Sequence, residues 1–437
     1  MSDHIHVIGA GIAGMGAAHR LAAQGQDAIV WEAGDKPGGR AGYALWNGEC
    51  LEYGGKNYAS NWINFMALAD EFGLTERDRQ HPNFHIVLND RLIGLEKKQS
   101  LGAAIGMLRN VGVIGTVEFH RLMRTAKRLA GELNYADGVI EEIERRYDDR
   151  PVSKLFHRNL ADGPLRMFSI IMGGAEPDET YLSQVMLFLS GFGKGSHHSV
   201  PGGLVRLFDG LAAGKEMRFG ARITRIELDR GRVAALHLTE GGKTHRVRAR
   251  QVISTLPLNL LLQVLDLPAE IRAEAERIRY FPLALINAIY DRDVFTENMN
   301  SIMFAPGSIL GHCSANRMYQ RNRVRFTLSG REARKVLHLS DETLIELAER
   351  EFRRFHPIEG ARVHYHVQRH MGGICAYAPN FTTVRRRLMD HVATIEGLEI
   401  AGDYLDGHNM EGCLTSAMSA VERITGEDAR PRMQMVA

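Results

Sequence analysis

Three glycines and one carboxylate near the start of the chain have the spacing that holds a dinucleotide. Gly9, Gly11 and Gly14 frame the run Gly9-Ala10-Gly11-Ile12-Ala13-Gly14, a GxGxxG. The first glycine permits a tight turn, the second lets the backbone approach a pyrophosphate, and the third lets the following helix pack close to its strand. Free N–H groups in that helix's first turn, with the helix dipole behind them, favour an anion. Glu32 closes the strand "AIVW" at 28–31, about 20 residues beyond the motif, where a carboxylate takes both ribose hydroxyls and disfavours a 2′-phosphate. A GxGxxG alone also occurs as a glycine-rich turn in other α/β proteins. The order strand, motif, helix, strand, acid favours the dinucleotide, and at this point NAD and FAD both fit.

Two later motifs separate them. Gly38-Gly39-Arg40 follows Glu32, and "EYGGKNY" occupies 52–58. With these, "EAGDKPGGRAG" at 32–42 resembles the extended fingerprint of the FAD-binding superfamily of flavin amine oxidases, protoporphyrinogen oxidases and carotenoid (phytoene) desaturases. "SVPGGLVRLFDGL" at 199–211, "GARITRIEL" at 220–228, "VISTLPLNLL" at 252–261 and "LEIAGDYLDGHNMEGCLTSAMSAVERI" at 398–424 are similar to the later elements of that family. The resemblance implies that Arg40 reaches the FAD phosphates. It implies that Ile223 meets adenine through its backbone, that Gly39 belongs to the fingerprint turn, and that Asp403 faces the ribityl and phosphate region. Gly54 and Gly55 then lie where the backbone passes the isoalloxazine, a crowded position that glycine suits. A helix beginning near Met410, Glu411 and Gly412 would aim its N–H groups at the N1 and O2 edge, where reduction places negative charge.

Departures from the amine-oxidase pattern bear on the reaction. Asn287, in "FPLALINAIYD", stands where many amine oxidases carry a lysine, and Asn409 replaces one of the two tyrosines that wall their substrate amine. The ending Met-Glu-Gly is closer to the carotene desaturases. Cys375, in "GGICAY", is a candidate for a thioether to the flavin, against the ordinary reading of a small buried hydrophobe; Tyr377 is a candidate pocket residue. His364, His366 and His370 share one face if "VHYHVQRH" is a strand. No acid or cysteine is adjacent, so a metal is not expected. His370 is a candidate pocket acid or base, against a hydrogen-bonded structural histidine. His197 and His198 read as loop residues before the Pro201-Gly202-Gly203 turn. Neither a GxSxG elbow nor a P-loop occurs.

The elements that must position these groups follow from pattern and composition. A chain of 437 residues, 44% hydrophobic and 24% charged, has the composition of a globular protein. A net charge of +2 gives no field for a polyanion, so nucleic acid is not expected. Four scattered cysteines and the strand beginning by His4 suggest a cytoplasmic protein. The fold class expected is α/β: a Rossmann-like FAD-binding domain of the GR2 type, discontinuous, with an interleaved α+β substrate domain carrying a helical cap. The resemblance implies an FAD domain from 1–90, 195–270 and 390–437, and a substrate domain from 91–194 and 271–389. Alternation over 221–254 suits an antiparallel meander, with turns at Arg230-Gly231 and Gly241-Gly242. Helical spacing over 100–190 suits the cap, Ser340 is a plausible N-cap, and the tail after Gly426 looks frayed. His120, Arg121, Arg124, Lys127 and Arg128 form a basic face, read first as solvated and alternatively as peripheral contact with anionic lipid or substrate. The expected chemistry is hydride transfer from a C–H bond of a small organic or lipid-like substrate to flavin N5, in the manner of a desaturase or dehydrogenase. The alternatives are an oxygen-dependent amine or amino-acid oxidase, and a non-redox flavoprotein acting as an isomerase or binding module.

Overall fold

A computed structural model describes residues 4–74, 76, 78–80, 83–88, 90–94, 101–129, 138–191, 196–317 and 319–426. The fold is mixed α/β. Strand Ile5–Ile8 lies at the centre of a five-stranded parallel sheet, flanked by Ala28–Trp31 and Gln251–Ser254, with Glu216–Arg218 and Leu398–Ile400 at the edges. Its residues are buried throughout, as a strand covered on both faces requires. Helices Ile12–Ala23 and Met410–Thr425 pack together, and a Cβ on Gly16 would stand 2.5 Å from Leu414 Cδ2. The small residue sets how close the two helices come. The strands of this sheet come from three separated stretches of chain.

A second sheet has seven strands, in the order Arg362–Ala376, Arg279–Tyr290, Arg323–Leu328, Leu310–Ala315, Ser301–Met303, Phe84–Leu88 and Arg91–Gly94. Its two faces differ in chemistry. Ala284, Ile286, Ala288, Phe326, Cys313 and Ile302 share one core with Leu344, Ile345, Ala348 and Phe352 of helix Asp341–Arg353. On the opposite face the register aligns Ser301 with Ser314, Ser314 with Arg325, Arg325 with Asn287, and Asn287 with His366. Alternation of side chains along each strand makes this a polar row across five strands. Phe84–Leu88, placed by the expected boundary in the first domain, joins this sheet instead, because it pairs in parallel with Ser301–Met303.

The meander forms as Ala221–Asp229, Arg232–Glu240 and Lys243–Arg248. Positive φ at Arg230 (50°), Gly231 (79°), Gly241 (55°) and Gly242 (77°) gives both hairpins the tight turns their sequences specify. Ser340 caps helix Asp341–Arg353 by accepting from the Thr343 amide at 3.2 Å. His197 and His198 are not loop residues. They lie in strand His197–Ser199, between Asn57–Ala59 and Asp78–Gln80, because both neighbouring segments offer it free edges. Residues after Gly426 lie outside the described residues.

Helices Leu101–Arg128, Gly138–Tyr147, Arg166–Gly173 and Leu182–Gly191 form the helical region. Leu122 and Ala126 face its core, and His120, Arg121, Arg124, Lys127 and Arg128 are all exposed. No helix among the described residues is long and apolar enough to cross a membrane.

Two buried acids brace this region, Glu144 to a neighbouring helix and Asp148 within the region itself. Glu144 accepts from the Thr382 amide at 3.1 and 3.2 Å, and Asp148 from the Ser183 amide at 3.2 Å and from its hydroxyl. Burial pushes Glu144 up to about 7 and Asp148 up to about 6, although their hydrogen bonds oppose the shift. Because the folded state binds these protons more tightly than the unfolded chain, their contribution is complete below about pH 4 and is lost as pH rises through about 7. Urea-denaturation free energies should therefore fall between about pH 5 and pH 8, and Glu144→Gln should remove up to about 3 kcal/mol of that fall. An unchanged slope in the variant would show that Glu144 does not titrate in this window.

Candidate active site

The glycine loop ends in open space. Gly9 has φ +99°, and a Cβ there would lie 2.9 Å from Thr255 Oγ1. A Cβ on Gly14 would run into the carbonyl of Gly9, whereas one on Gly11 would meet nothing within 4 Å. Gly11 is the N-cap of helix Ile12–Ala23, with no side-chain cap and no acid in the first turn. The N–H groups of the first turn, which Ile12 and Ala13 begin, therefore have a cradle that fits a phosphate. The Gly39-Arg40 turn lies directly on this loop. Gly38 donates to Ala10 O at 2.9 Å, and a Cβ on Gly39 would be 3.3 Å from Gly11 Cα.

Glu32 sits at the end of its strand, held by the amides of Ala10 and Gly34, each at 2.7 Å. Each carboxylate oxygen keeps a second lone pair, which fits a ribose diol. The Ala221 amide donates to Glu32 O at 2.9 Å, which sets Ile223 two residues further along the adjoining strand.

Arg40 is engaged differently from the expectation. Its guanidinium makes a bidentate pair with Asp403, at 2.6 and 3.0 Å, and donates to Gly373 O at 2.9 Å. Both side chains expected on the phosphate region thus hold each other. Desolvation opposes the arginine's charge, and Asp403 more than offsets it. Tyr280 also donates to Asp403, at 3.1 Å. Although it lies deep in the molecule, the Arg40 side chain keeps 30% of its surface accessible. Tyr280, His312, Arg325, His370 and His408 are likewise deep and only partly enclosed.

The three candidate catalytic side chains are committed to the backbone. Asn287 Nδ2 donates to Glu52 O at 3.1 Å, and His370 Nε2 bonds Tyr53 O at 2.8 Å, so that nitrogen carries the proton. Burial, against the help of that bond, lowers the His370 pKa and keeps the ring neutral. The Tyr377 hydroxyl donates to Asp403 O at 2.7 Å, while its ring stacks on Phe381 at 3.9 Å within an apolar core. Tyr377 is a core residue, not a polar pocket group.

Other expectations also change. The crowding at Gly54 comes from the carbonyl of Arg40, and a Cβ on Gly55 would touch Met410 Cγ at 3.7 Å. Met410 is buried in the core of the five-stranded sheet. Asn409 caps the last helix through the Gly412 amide at 2.8 Å. Glu411 turns to helix Ile63–Glu71, where it accepts from the amides of Asn64 and Phe65, each at 2.9 Å. That helix has no cap of its own, so a distant carboxylate serves. Cys375 is fully enclosed, and burial beside Asp403 pushes its thiol well up. His364 stacks on Trp46 at 5.1 Å and His366 on Tyr53 at 5.6 Å.

Four groups escaped the sequence reading. Arg325 donates to Gly54 O, completing a run of three consecutive carbonyls held by the polar sheet face. Buried Lys56 donates to Ala315 O at 3.1 Å and to Asn316 O. Glu52 and Arg317 form a buried ion pair at 2.9 Å. Lys56 lies inside the quoted "EYGGKNY", and a lysine beside two glycines in a buried stretch was the available signal. Asn287 Oδ1, Arg325 Nε and His366 Nε2 are buried without a partner on three adjacent strands. Unpaired polar atoms in one row fit a ligand that would satisfy them.

The sequence profile of the flavin containing amine oxidoreductases matches residues 12–425. The chain belongs to this family. The family's cofactor is a flavin, and the open cradle at Gly11 and the unpaired row agree with a large bound cofactor. AofH of Mycobacterium tuberculosis, whose name assigns it to the flavin-containing monoamine oxidases, is 24% identical over 237 residues, 51% of this chain and 50% of AofH. Putrescine oxidase of Kocuria rosea is 41% identical over 73 residues, 17% of this chain and 15% of that protein. The chain thus matches half the length of one relative and a smaller part of the other. Among solved structures, putrescine oxidase bound to putrescine has a TM-score of 0.74 at 16% identity, covering 98% of this chain and 100% of that one. Cyclohexylamine oxidase from Brevibacterium oxydans has the same score and identity, covering 98% and 99%. At these identities the likeness establishes the shared fold.

Glu411→Ala should leave the first amides of helix Ile63–Glu71 unpaired and lower stability by about 2 kcal/mol in urea denaturation. A loss of FAD affinity with unchanged apoprotein stability would return Glu411 to the cofactor.

Proposed function

We propose that this flavoenzyme oxidises a C–H bond of a small organic or lipid-like substrate, in the manner of a desaturase or dehydrogenase, leaving a new double bond. FAD, when bound, supplies the two-electron acceptor, taking hydride at N5. The glycine loop and Glu32 are suited to bind its phosphates and ribose. The amides following Asn409 and Met410 are suited to the edge that gains negative charge. The observation that carries the reading is Asn287: a neutral amide, fixed on Glu52 O, occupies the sheet position aligned with Arg325 and His366. Where the resemblance leads one to look for a lysine, this chain has a group that neither charges nor titrates. Asn409, spent as a helix cap, likewise does not build an aromatic wall for an amine.

His370 orients the Tyr53 carbonyl and, being neutral with its proton on that bond, is a positioning residue. Exposed Val113, Ile114 and Val117 beside the basic residues 120–128 favour a lipid-like substrate taken from an anionic surface. A second reading, an oxygen-dependent amine oxidase, draws on the likeness to putrescine and cyclohexylamine oxidases.

Anaerobic mixing of the FAD-loaded protein with unsaturable hydrocarbon acids, alcohols and amines separates the two. Bleaching by carbon substrates supports the first reading; bleaching by simple amines, with peroxide on admitting oxygen, overturns it. Glu32→Ala should weaken FAD binding at least about tenfold, as loss of two hydroxyl contacts implies, measured by apoprotein titration. Acid precipitation should release all the FAD to the supernatant, since Cys375 is enclosed and protonated.

A further inference from the structure

Of four cations close to the segment 52–55, two have no carboxylate at ion-pair distance among the described residues. Arg40 is matched by Asp403, and Arg317 is bonded to Glu52. Lys56 and Arg325 hydrogen-bond only carbonyl oxygens, those of Ala315, Asn316 and Gly54, and the one carboxylate that acts on both, Glu52, is already paired with Arg317. Buried charge without a counter-ion is costly, and it persists where a ligand supplies the missing charge.

The surrounding groups do not remove the imbalance. Asn287 is neutral. His312 lies two residues from Ser314 on the polar face and bonds the Ser301 hydroxyl at 2.8 Å. Burial and the two cations push it down to about 3, so it adds no positive charge and no negative one. Arg325 Nε is enclosed and unpartnered, yet the side chain as a whole is only partly enclosed, so it borders open space. Desolvation lowers Lys56, and Arg325 lowers it further, while desolvation brings Arg325 itself to about 10; Glu52 opposes both shifts without cancelling them.

We propose that Arg325 and Lys56 form an anion subsite for the substrate, and that the substrate is a carboxylic acid whose carboxylate docks on the polar sheet face beside Gly54. This names the substrate class for the proposed oxidation and rests on that reading. Arg325 suits the task through its planar donors, while Lys56 acts as a point charge behind it. A protonated amine would be repelled from the same place. The alternative source of negative charge is FAD itself, whose phosphates have their own cradle at Gly11.

The test uses FAD-loaded protein, with calorimetry and the flavin difference spectrum as readouts and hexanoate, benzoate, hexylamine and benzylamine as probes. Wild-type protein should bind the two carboxylates at least about tenfold more tightly than the amines of matching shape. Arg325→Met and Lys56→Met should each weaken carboxylate binding by about tenfold or more with FAD occupancy retained, and Arg325→Lys should restore part of the loss. Equal or tighter binding of the amines by wild-type protein overturns the proposal and needs no variant. So does an Arg325→Met protein that loses FAD affinity while holding hexanoate as before, since the cations would then serve the cofactor. Carboxylate binding without bleaching by any carbon substrate would instead leave the subsite standing and remove the oxidation reading.

Discussion

Three consecutive carbonyl oxygens, those of Glu52, Tyr53 and Gly54, are held by Asn287, His370 and Arg325 from three adjacent strands of the long sheet. The same segment is held along its other edge, where the Tyr53 amide donates to Gly42 O at 3.0 Å and the Gly55 amide to Arg40 O at 3.2 Å. A partly buried backbone crossed by side chains on one edge and by a turn on the other must satisfy both edges, because each orphaned group would cost more than a made hydrogen bond returns. This segment does so by accepting from side chains of the long sheet on one edge and donating to the carbonyls of Gly42 and Arg40 on the other. The fit explains Gly54, whose missing Cβ is the space taken by the Arg40 carbonyl. It also explains why the polar face of the sheet is polar.

From this brace the geometry passes to the cofactor end through one strand. Arg362–Ala376 carries His370, which holds Tyr53, and Gly373, whose carbonyl accepts from Arg40. Between them the pairing with Arg279–Tyr290 slips, with Phe281 opposite Ile374 but Leu283 opposite His370. The irregularity falls at Gly372-Gly373, and a Cβ on Gly373 would approach Phe281 O to 2.5 Å. Bulges re-aim a strand next to functional sites. Here the slip turns a carbonyl toward Arg40, whose other partner, Asp403, is fixed by Tyr280 and through its backbone by Tyr377.

What could be read from the sequence was local. Gly9, Gly11, Gly14 and Glu32 lie within one strand-helix-strand unit, the meander turns carry their own glycines, and the Ser340 cap spans three residues. The polar sheet face resisted because Asn287, His370 and Arg325 meet backbone carbonyls more than 200 residues away. A carbonyl oxygen is common to every residue and leaves no mark in the sequence. Glu411 failed for the same reason: its partners are amides of Asn64 and Phe65. His197 and His198, read as loop, became a strand because two distant segments supplied its neighbours. The family resemblance reached further, since it carried the cofactor and the order of the elements, but it assigned roles by position where packing assigned them by partner.

Electrostatics then bears on the choice between an acid and an amine that the proposed reading makes. Two unit charges about 4 Å apart interact by about 4 kcal/mol at an effective dielectric constant of about 20. A protonated amine brought beside Arg325 would meet a repulsion of that order, with Lys56 adding to it wherever that lysine carries its proton. Such an amine would have to lose its proton before entering, and the residues that could receive it are engaged: His370 is bonded to Tyr53 O, Glu52 to Arg317, and Asp403 to Arg40 and Tyr280. A carboxylate meets attraction from the same groups and needs no proton transfer on entry. The cofactor end keeps the family's cradle, while on the proposed reading the positive charge of the polar sheet face favours an anion over the amine for which the family is named.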